Sequence, residues 1–400
     1  MKNNYIIGVI ACAALTMTSC SNDEIGGNNT KQGDPIEFGV YLGRDAQGSR
    51  GTIITTENLT KFGVSAYYLT SVTPDFMYNQ AVNKSGDAWT YSPVKYWPTR
   101  ENDGITFYAY APHTDDANGF IKLPDNNVTG VPVINVSLPT GDDADFKKMV
   151  DFVTDEEFYQ MKTNGNNKSD KITFTFNHKM TRIGLKANVS KDVYNTDAAN
   201  KTKVVIRSIE LNAGGEFYTS AKYKYTEHDI YTGKSNPELW YGREGDVKLN
   251  LKSILNWSDD WTISKDKVID KVIDNSDAKK KGIALEGTSA VNLFNENQYL
   301  FLIPAKDKTN GLKANSTSAT ITYDIITEDS NLEDGYSKTS ATKTVYLPAG
   351  IMQQGKAYNL TFTIAVDQVK LDAKVAKWET ATSDSNIDVP YTPDDATPKP

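Results

Sequence analysis

Residues 343–378 read KTVYLPAGIMQQGKAYNLTFTIAVDQVKLDAKVAKW. Val345 and Leu347 alternate ahead of Pro348. After Gly355, Tyr358, Leu360, Phe362 and Ile364 then fall two residues apart, the period of a strand with one buried face. A second alternating run, Val369, Leu371, Ala373 and Val375, ends on Trp378. The pattern predicts a long strand, a turn and a second strand, the paired unit that closes an antiparallel sandwich.

The same period recurs upstream. Ile36–Leu42 alternates apolar with small or polar residues, and Phe62–Leu69 places Phe62, Val64 and Ala66 on one face. Ile105–Pro112, Ile172–Phe176, Val204–Leu211, Val247–Leu251, Tyr299–Pro304 and Ala319–Ile325 read as further strands. Trp89–Pro98 reads as an aromatic, hairpin-like segment. Two places break the pattern: Phe146, Met149 and Val150 have helix-like spacing, and the duplicated KVID of Lys267–Asp274 predicts a short amphipathic helix. Four hundred residues with 22 Tyr, 27 Gly and 15 Pro fit an all-β chain of two domains rather than one. With 43 basic against 51 acidic residues, no basic patch invites nucleic acid.

Both cysteines, Cys12 and Cys20, sit at the N-terminus, so the mature fold has no disulfide to rely on. Lys2, an apolar run from Tyr5 to Met17 and Thr18-Ser19-Cys20 look like a bacterial lipoprotein signal. Cleavage would then leave a lipidated Cys20; the alternative is an ordinary secretory peptide with an incidental cysteine. Asn, Gly and charged residues make 20–34 a flexible tether. Catalytic patterns are absent: His113, His178 and His228 lie in no H-E-x-x-H, no G-x-S-x-G occurs, and Asp142-Asp143-x-Asp145 lacks EF-hand spacing. The expectation is a non-enzymatic protein without a cofactor or metal.

Four motifs carry a family resemblance. LPAG followed by GKAYNLTFTI and a strand ending in Trp378 resembles the C-terminal signature of the Bacteroidetes fimbrillin-like proteins, subunits of surface pili. KYWP (95–98) with FYAYAP (107–112), the F-x-H of Phe176–His178, and FLIPAK (301–306) resemble the same family. The resemblance implies two tandem antiparallel β-sandwich domains of transthyretin-like Greek-key type, at 35–180 and 181–378, after a signal peptide at 1–19 and before a polar tail at 379–400. It implies a trypsin-like cut after Arg50, with Arg44 as second choice, that removes the strand Ile36–Leu42. It also implies that a C-terminal strand, here Ile387, Val389 and Tyr391, enters the vacated groove of a neighbouring subunit. Pro390 weighs against that, since an inserted strand loses a ladder bond at proline.

Asp23 and Glu24, just after Cys20, resemble the surface-export signal of Bacteroidetes lipoproteins. The implied partners are other pilus subunits, the outer membrane through lipid on Cys20, and host or bacterial surface ligands. A second reading, a surface lipoprotein that binds glycans without polymerising, draws on the Tyr-rich stretch Phe217–Tyr241, with Tyr223, Tyr225, Trp240 and Tyr241 as candidate glycan-facing rings. An edge hairpin would carry the same pattern.

Overall fold

The computed structural model describes residues 33–42, 54–251 and 282–376, apart from short stretches inside those ranges, and 384–388. The first ten strands are β1 (Glu37–Tyr41), β2 (Lys61–Tyr68), β3 (Met77–Ser85), β4 (Ala88–Thr90), β5 (Ile105–Ala111), β6 (Ile121–Lys122), β7 (Val133–Ser137), β8 (Val153–Gln160), β9 (Lys171–Thr175) and β10 (Asn177–His178). Next come β11 (Thr181–Val189), β12 (Thr202–Asn212), β13 (Ser220–Lys224), β14 (Glu227–His228), β15 (Ser235–Asn236), β16 (Leu239–Glu244), β17 (Lys248–Asn250) and β18 (Ile283–Leu285). The last are β19 (Val291–Asn292), β20 (Leu300–Leu302), β21 (Ser318–Glu328), β22 (Tyr336–Tyr346), β23 (Ala357–Ile364), β24 (Val369–Ala376) and β25 (Asp384–Asp388). The fold is all-β. Among the described residues the helix-like spacing near Phe146 yields one 3-10 turn, Phe146–Lys148, and the KVID repeat lies outside them.

The largest sheet runs β10-β8-β5-β2-β3-β4-β1-β9. Its two ends meet through the chain, because β9 leads by way of Phe176 straight into β10, which pairs with β8. Inside this curl sits a core of Ile36, Phe38, Phe62, Val64, Phe107, Val153 and Phe174. A second core fills the space between the outer side of that sheet and the others, from Tyr67 and Tyr108 to Leu360 and Phe362. That double duty explains why all seven residues of β5 are buried: Phe107 and Ala109 face the first core, Tyr108 and Tyr110 the second.

The decisive C-terminal stretch divides between two sheets. β23 and β24 form the expected antiparallel hairpin, register Tyr358↔Val375 to Ile364↔Val369, and Tyr358, Leu360, Phe362 and Ile364 are all buried. β22 instead pairs with β21 in the sheet β17-β12-β21-β22. Gly355 makes the crossing: its φ of +67° suits a residue without Cβ, and a Cβ there would stand 2.9 Å from the His178 carbonyl.

The expectation of purely antiparallel sheets is corrected by two parallel pairings, β1 with β9 and β11 with β23. Both join strands far apart in sequence, which only tertiary packing can bring together. The boundary at 180 also does not divide the sheets: β6 and β7, before it, share a sheet with β13 and β16, after it, in the order β16-β13-β7-β6, joined by the β7–β13 pairing. Val133–Ser137 has β6 from its own side of that line along one edge and finds β13 along the other only by crossing it.

Candidate functional site: the seat of the first strand

β1 is held along both edges. Its residues run parallel to β9 from Glu37↔Lys171 to Tyr41↔Thr175, and Phe38 stands opposite Trp89 of β4. The ladder extends beyond the strand: the Ile36 amide donates to the Lys95 carbonyl (2.9 Å), the Tyr91 hydroxyl to the Ile36 carbonyl (2.9 Å) and the Phe176 amide to the Tyr41 carbonyl (3.0 Å). Ile36, Phe38 and Leu42 are 5 % exposed or less. Phe38 is the centre of an aromatic cluster, with ring centroids 5.2 Å from Tyr91, 5.8 Å from Phe174, 5.9 Å from Phe107 and 6.3 Å from Phe62. At about 1.5–3 kcal/mol for each large apolar side chain buried, these three residues alone hold the strand with roughly 4.5–9 kcal/mol. Without β1 the sheet would present an aromatic trough between two unpaired backbone edges, those of β4 and β9.

The chain on either side of the following loop is pinned. Thr56 Oγ1 accepts from the Leu42 amide (3.0 Å) and donates to the Leu42 carbonyl (2.8 Å), a two-bond clasp between residues 14 apart. Asp151, fully buried, accepts from the Ile54 amide at 3.1 Å, and its Oδ2 lies 2.8 Å from His178 Nδ1. His178 of the F-x-H motif, in β10, is therefore tied through Asp151 to Ile54, where the described chain resumes. Arg44 and Arg50 belong to the enclosed stretch and lie outside the described residues, as does Cys20.

A polar knot sits on the far side of the same junction. Glu238 accepts from Lys179 (2.6 Å), Tyr223 (2.5 Å), Gln354 (2.5 Å) and Lys308 (3.2 Å). Burial pushes its carboxyl up, but the Lys179 ammonium and the hydrogen bonds outweigh that and bring it down to about 2.

The predicted glycan face is not where the sequence placed it. Tyr223, Tyr225 and Trp240 are 1 %, 2 % and 4 % exposed; only Tyr241, at 37 %, meets solvent. β13 is an inner strand, flanked by β7 and β16, so its inward residues are core. The three rings continue a chain of edge-to-face contacts from the large sheet into the small one: Tyr67–Tyr108 5.5 Å, Tyr108–Tyr225 5.0 Å, Tyr225–Tyr223 5.3 Å and Tyr223–Trp240 5.3 Å between centroids. The Tyr225 hydroxyl donates to the Ala109 carbonyl at 2.6 Å, and Trp240 Nε1 to Gln354 at 2.9 Å. Burial raises both tyrosine phenols far above their ordinary range, so they stay neutral donors.

Ile387 falls in β25, which pairs antiparallel with β24 of its own chain at Lys374↔Asp388 and Ala376↔Asp384 with an irregularity between; Val389 and Tyr391 lie outside the described residues. Among the described residues no group of three His, Cys, Asp or Glu is placed to hold a metal, and no helix is long and apolar enough to cross a membrane. Sequence reasoning passed over Thr56, Asp151 and Glu238. Each is an ordinary polar residue in a loop or at a loop end, and only the fold gives it partners more than ten positions away.

Three comparisons bear on this geometry. The profile of a family described as fimbrillin-like matches residues 49–378. Fimbrium subunit Fim1C of Phocaeicola vulgatus is 28% identical over 398 residues, 95% of this chain and 98% of its own length. The crystal structure of a fimbrial protein from Bacteroides vulgatus superposes with a TM-score of 0.65 at 24% identity, covering 86% of this chain and 99% of that one; the two share a fold.

Proposed function

The chain belongs to the fimbrillin-like family, a family of structural rather than enzymatic proteins, and from that premise we propose that it is a subunit of a surface fimbria that assembles by exchange of strands. It travels as a lipoprotein acylated on Cys20 and is anchored at the outer membrane. A trypsin-like enzyme then cuts after Arg50, or after Arg44, and the lipid leaves together with β1. The vacated trough takes the tail strand of another copy, centred on Ile387 and continuing through Val389 to Tyr391. The finer architecture proposed with it is the family's pair of Greek-key sandwiches.

The observation that carries this reading is the seat itself. β1 is a complete core strand, paired on both edges, and the loop that follows it begins and ends at the Leu42–Thr56 clasp. A cut between Leu42 and Thr56 separates the strand and leaves every other described strand in the remaining chain. Coupling release to cleavage keeps the aromatic trough covered until the chain is outside, which matters because an open apolar edge aggregates.

N-terminal sequencing of protein recovered from the cell surface tests the scheme. The expected result is a mature chain beginning at Gly51 in high-mass ladders that survive mild denaturant, and ladders lost when both Arg44 and Arg50 are changed to Ala. A surface protein that keeps Cys20, or ladders that persist in the double variant, overturns it.

A further inference from the structure

At one end of the large sheet an open cavity of about 320 Å³ lies between the ends of β2, β5 and β8 and the β14–β15 hairpin. Its floor is aromatic: Tyr67 and Tyr108, with Phe158 to one side. Tyr231, at the hairpin tip and 83 % exposed, is the most solvent-exposed large ring among the described residues. Such a ring is normally buried for its area. Here it is held out on purpose-built geometry. Asp229 Oδ1 accepts from the amides of Tyr231 (2.9 Å) and Thr232 (3.2 Å), Oδ2 accepts from the Thr232 hydroxyl (2.8 Å), and the Gly233 amide closes the turn on the Asp229 carbonyl (2.9 Å).

The hairpin is fixed to the sheet as well. The His228 ring stacks on Phe158 at 4.4 Å, 26° from parallel, and its Nε2 lies 3.0 Å from Glu156 Oε1. On the opposite wall, Leu69 adopts a φ of +53°, a left-handed conformation that a residue with a Cβ keeps only under constraint; its amide donates to the Gly104 carbonyl at 2.9 Å. Both walls are thus preorganised, which lowers the entropy lost on binding.

We infer that this cavity binds one terminal residue of a neutral glycan, with the apolar face of the sugar ring laid against Tyr231 and its hydroxyls directed at Glu227, Asp229 and His228. The volume falls at the lower end of the ~300–1,000 Å³ typical of ligand sites, the size for a single ring or two. A pyranose has an apolar C–H face and an equator of hydroxyl donors, which matches a ring beside carboxylates; ionised carboxylates accept through about four lone-pair positions, so those engaged in the turn retain capacity. Both carboxylates are drawn below their ordinary range, Glu227 by the Lys224 ammonium 2.5 Å away, which offsets its charge, and Asp229 by the bonds of its own turn, so it is Asp229 that keeps the rim anionic at neutral pH and disfavours acidic sugars. The inference rests on the proposed fimbrial role and gives the host or bacterial surface ligands implied for such a subunit a chemical class. Its residues lie outside β1 and the tail, so binding is measured on the uncleaved monomer and survives if the strand-exchange scheme fails.

The test is saturation-transfer NMR and calorimetry of the full chain with galactose, mannose, N-acetylglucosamine and lactose, and with sialyllactose as the acidic probe. Saturable binding of at least one neutral sugar is expected, weakened ~10-fold or more by Y231A and within about two-fold of wild type in Y231F. Tyr346, 52 % exposed on β22, supplies the control: Y346A should bind as wild type. No saturable binding up to about 50 mM for any neutral sugar, unchanged binding in Y231A, or a preference for sialyllactose over lactose each overturns the assignment.

Discussion

β1 and β25 are the strands nearest the two ends of the described chain, and they are seated in opposite ways. β1 is registered at five consecutive positions with β9 and buries Ile36, Phe38 and Leu42 in a closed core. β25 is registered with β24 at two positions, with an irregularity between them, at the open edge of its sheet. The difference teaches what strand exchange would demand of each. A strand seated like β1 does not leave by fluctuation, so its departure needs a broken peptide bond. One seated like β25 comes away by local opening, the cheaper end of the range of native-state motions.

The comparison breaks most directly at Phe38. F38A removes the central ring of the first core and should cost about 3–5 kcal/mol, read as a fall in the urea midpoint. A loss under ~1 kcal/mol would mean that β1 is a cover and not a core strand.

A smaller effect separates the two regions. Gln354, which leads into β23, ties the sheet that carries β25 to Glu238. E238Q should cost about 2 kcal/mol by leaving Lys179 and Lys308 without their counter-charge. Because Glu238 is drawn down to about 2, its contribution is complete above the unfolded value near ~4.3 and disappears as pH falls through about 2. The wild type should therefore converge on E238Q in acid. Amide exchange should quicken in β23 and β13 and stay slow in β1 and β9; quickening in β1 would show that the two regions share one cooperative unit.

Next in size is the seam beside β1. Asp155 of β8 accepts the Thr175 amide of β9 at 2.6 Å, yet burial pushes its carboxyl up to about 6. The raised value means that its contribution is present below the unfolded value near ~3.9 and is lost as pH rises through 6. D155N keeps an acceptor for Thr175 and removes the charge. It should raise stability by about 1 kcal/mol at pH 7.5, the partly open site screening the rest, and leave it unchanged at pH 3.5. The smallest effect is at the tail: removing 379–400 should shift the midpoint by less than ~0.5 kcal/mol, and a shift above ~1.5 kcal/mol would place β25 among the strands that hold the fold.

Alternation made β1, β2, β5, β12, β21, β23 and β24 legible, because each has at least one face of apolar residues two apart. Partner identity was less so. Nothing local in Phe38 announces Trp89 on one side and Ile172 on the other, and nothing in Val345 says that β22 turns away from the hairpin that follows it. The Tyr-rich stretch misled for a related reason. Tyr223 and Tyr225 alternate as they would on an exposed edge, and only the arrival of β7 from the other side of residue 180 makes their strand an inner one. The exposed ring of that stretch, Tyr231, sits in a turn whose Asp-x-x-Thr-Gly chemistry was readable, but the aromatic floor of the cavity beneath it, Tyr67 and Tyr108, comes from far upstream in the chain.

The parallel register of β1 with β9 also sets a clock. Glu37 meets Lys171 roughly 130 positions along the chain, whereas β2, β3 and β4 find one another across short connections. Closing so long a loop is slow and unrewarded until its far end has been made. β1, made before the other described strands, thus completes its parallel edge only once β9 has been made, and until then Ile36, Phe38 and Leu42 wait without that cover. An edge that closes late can also be opened again without reversing the local pairings made before it, so removing β1 would undo its pairings with β4 and β9 and leave those among β2, β3 and β4 standing.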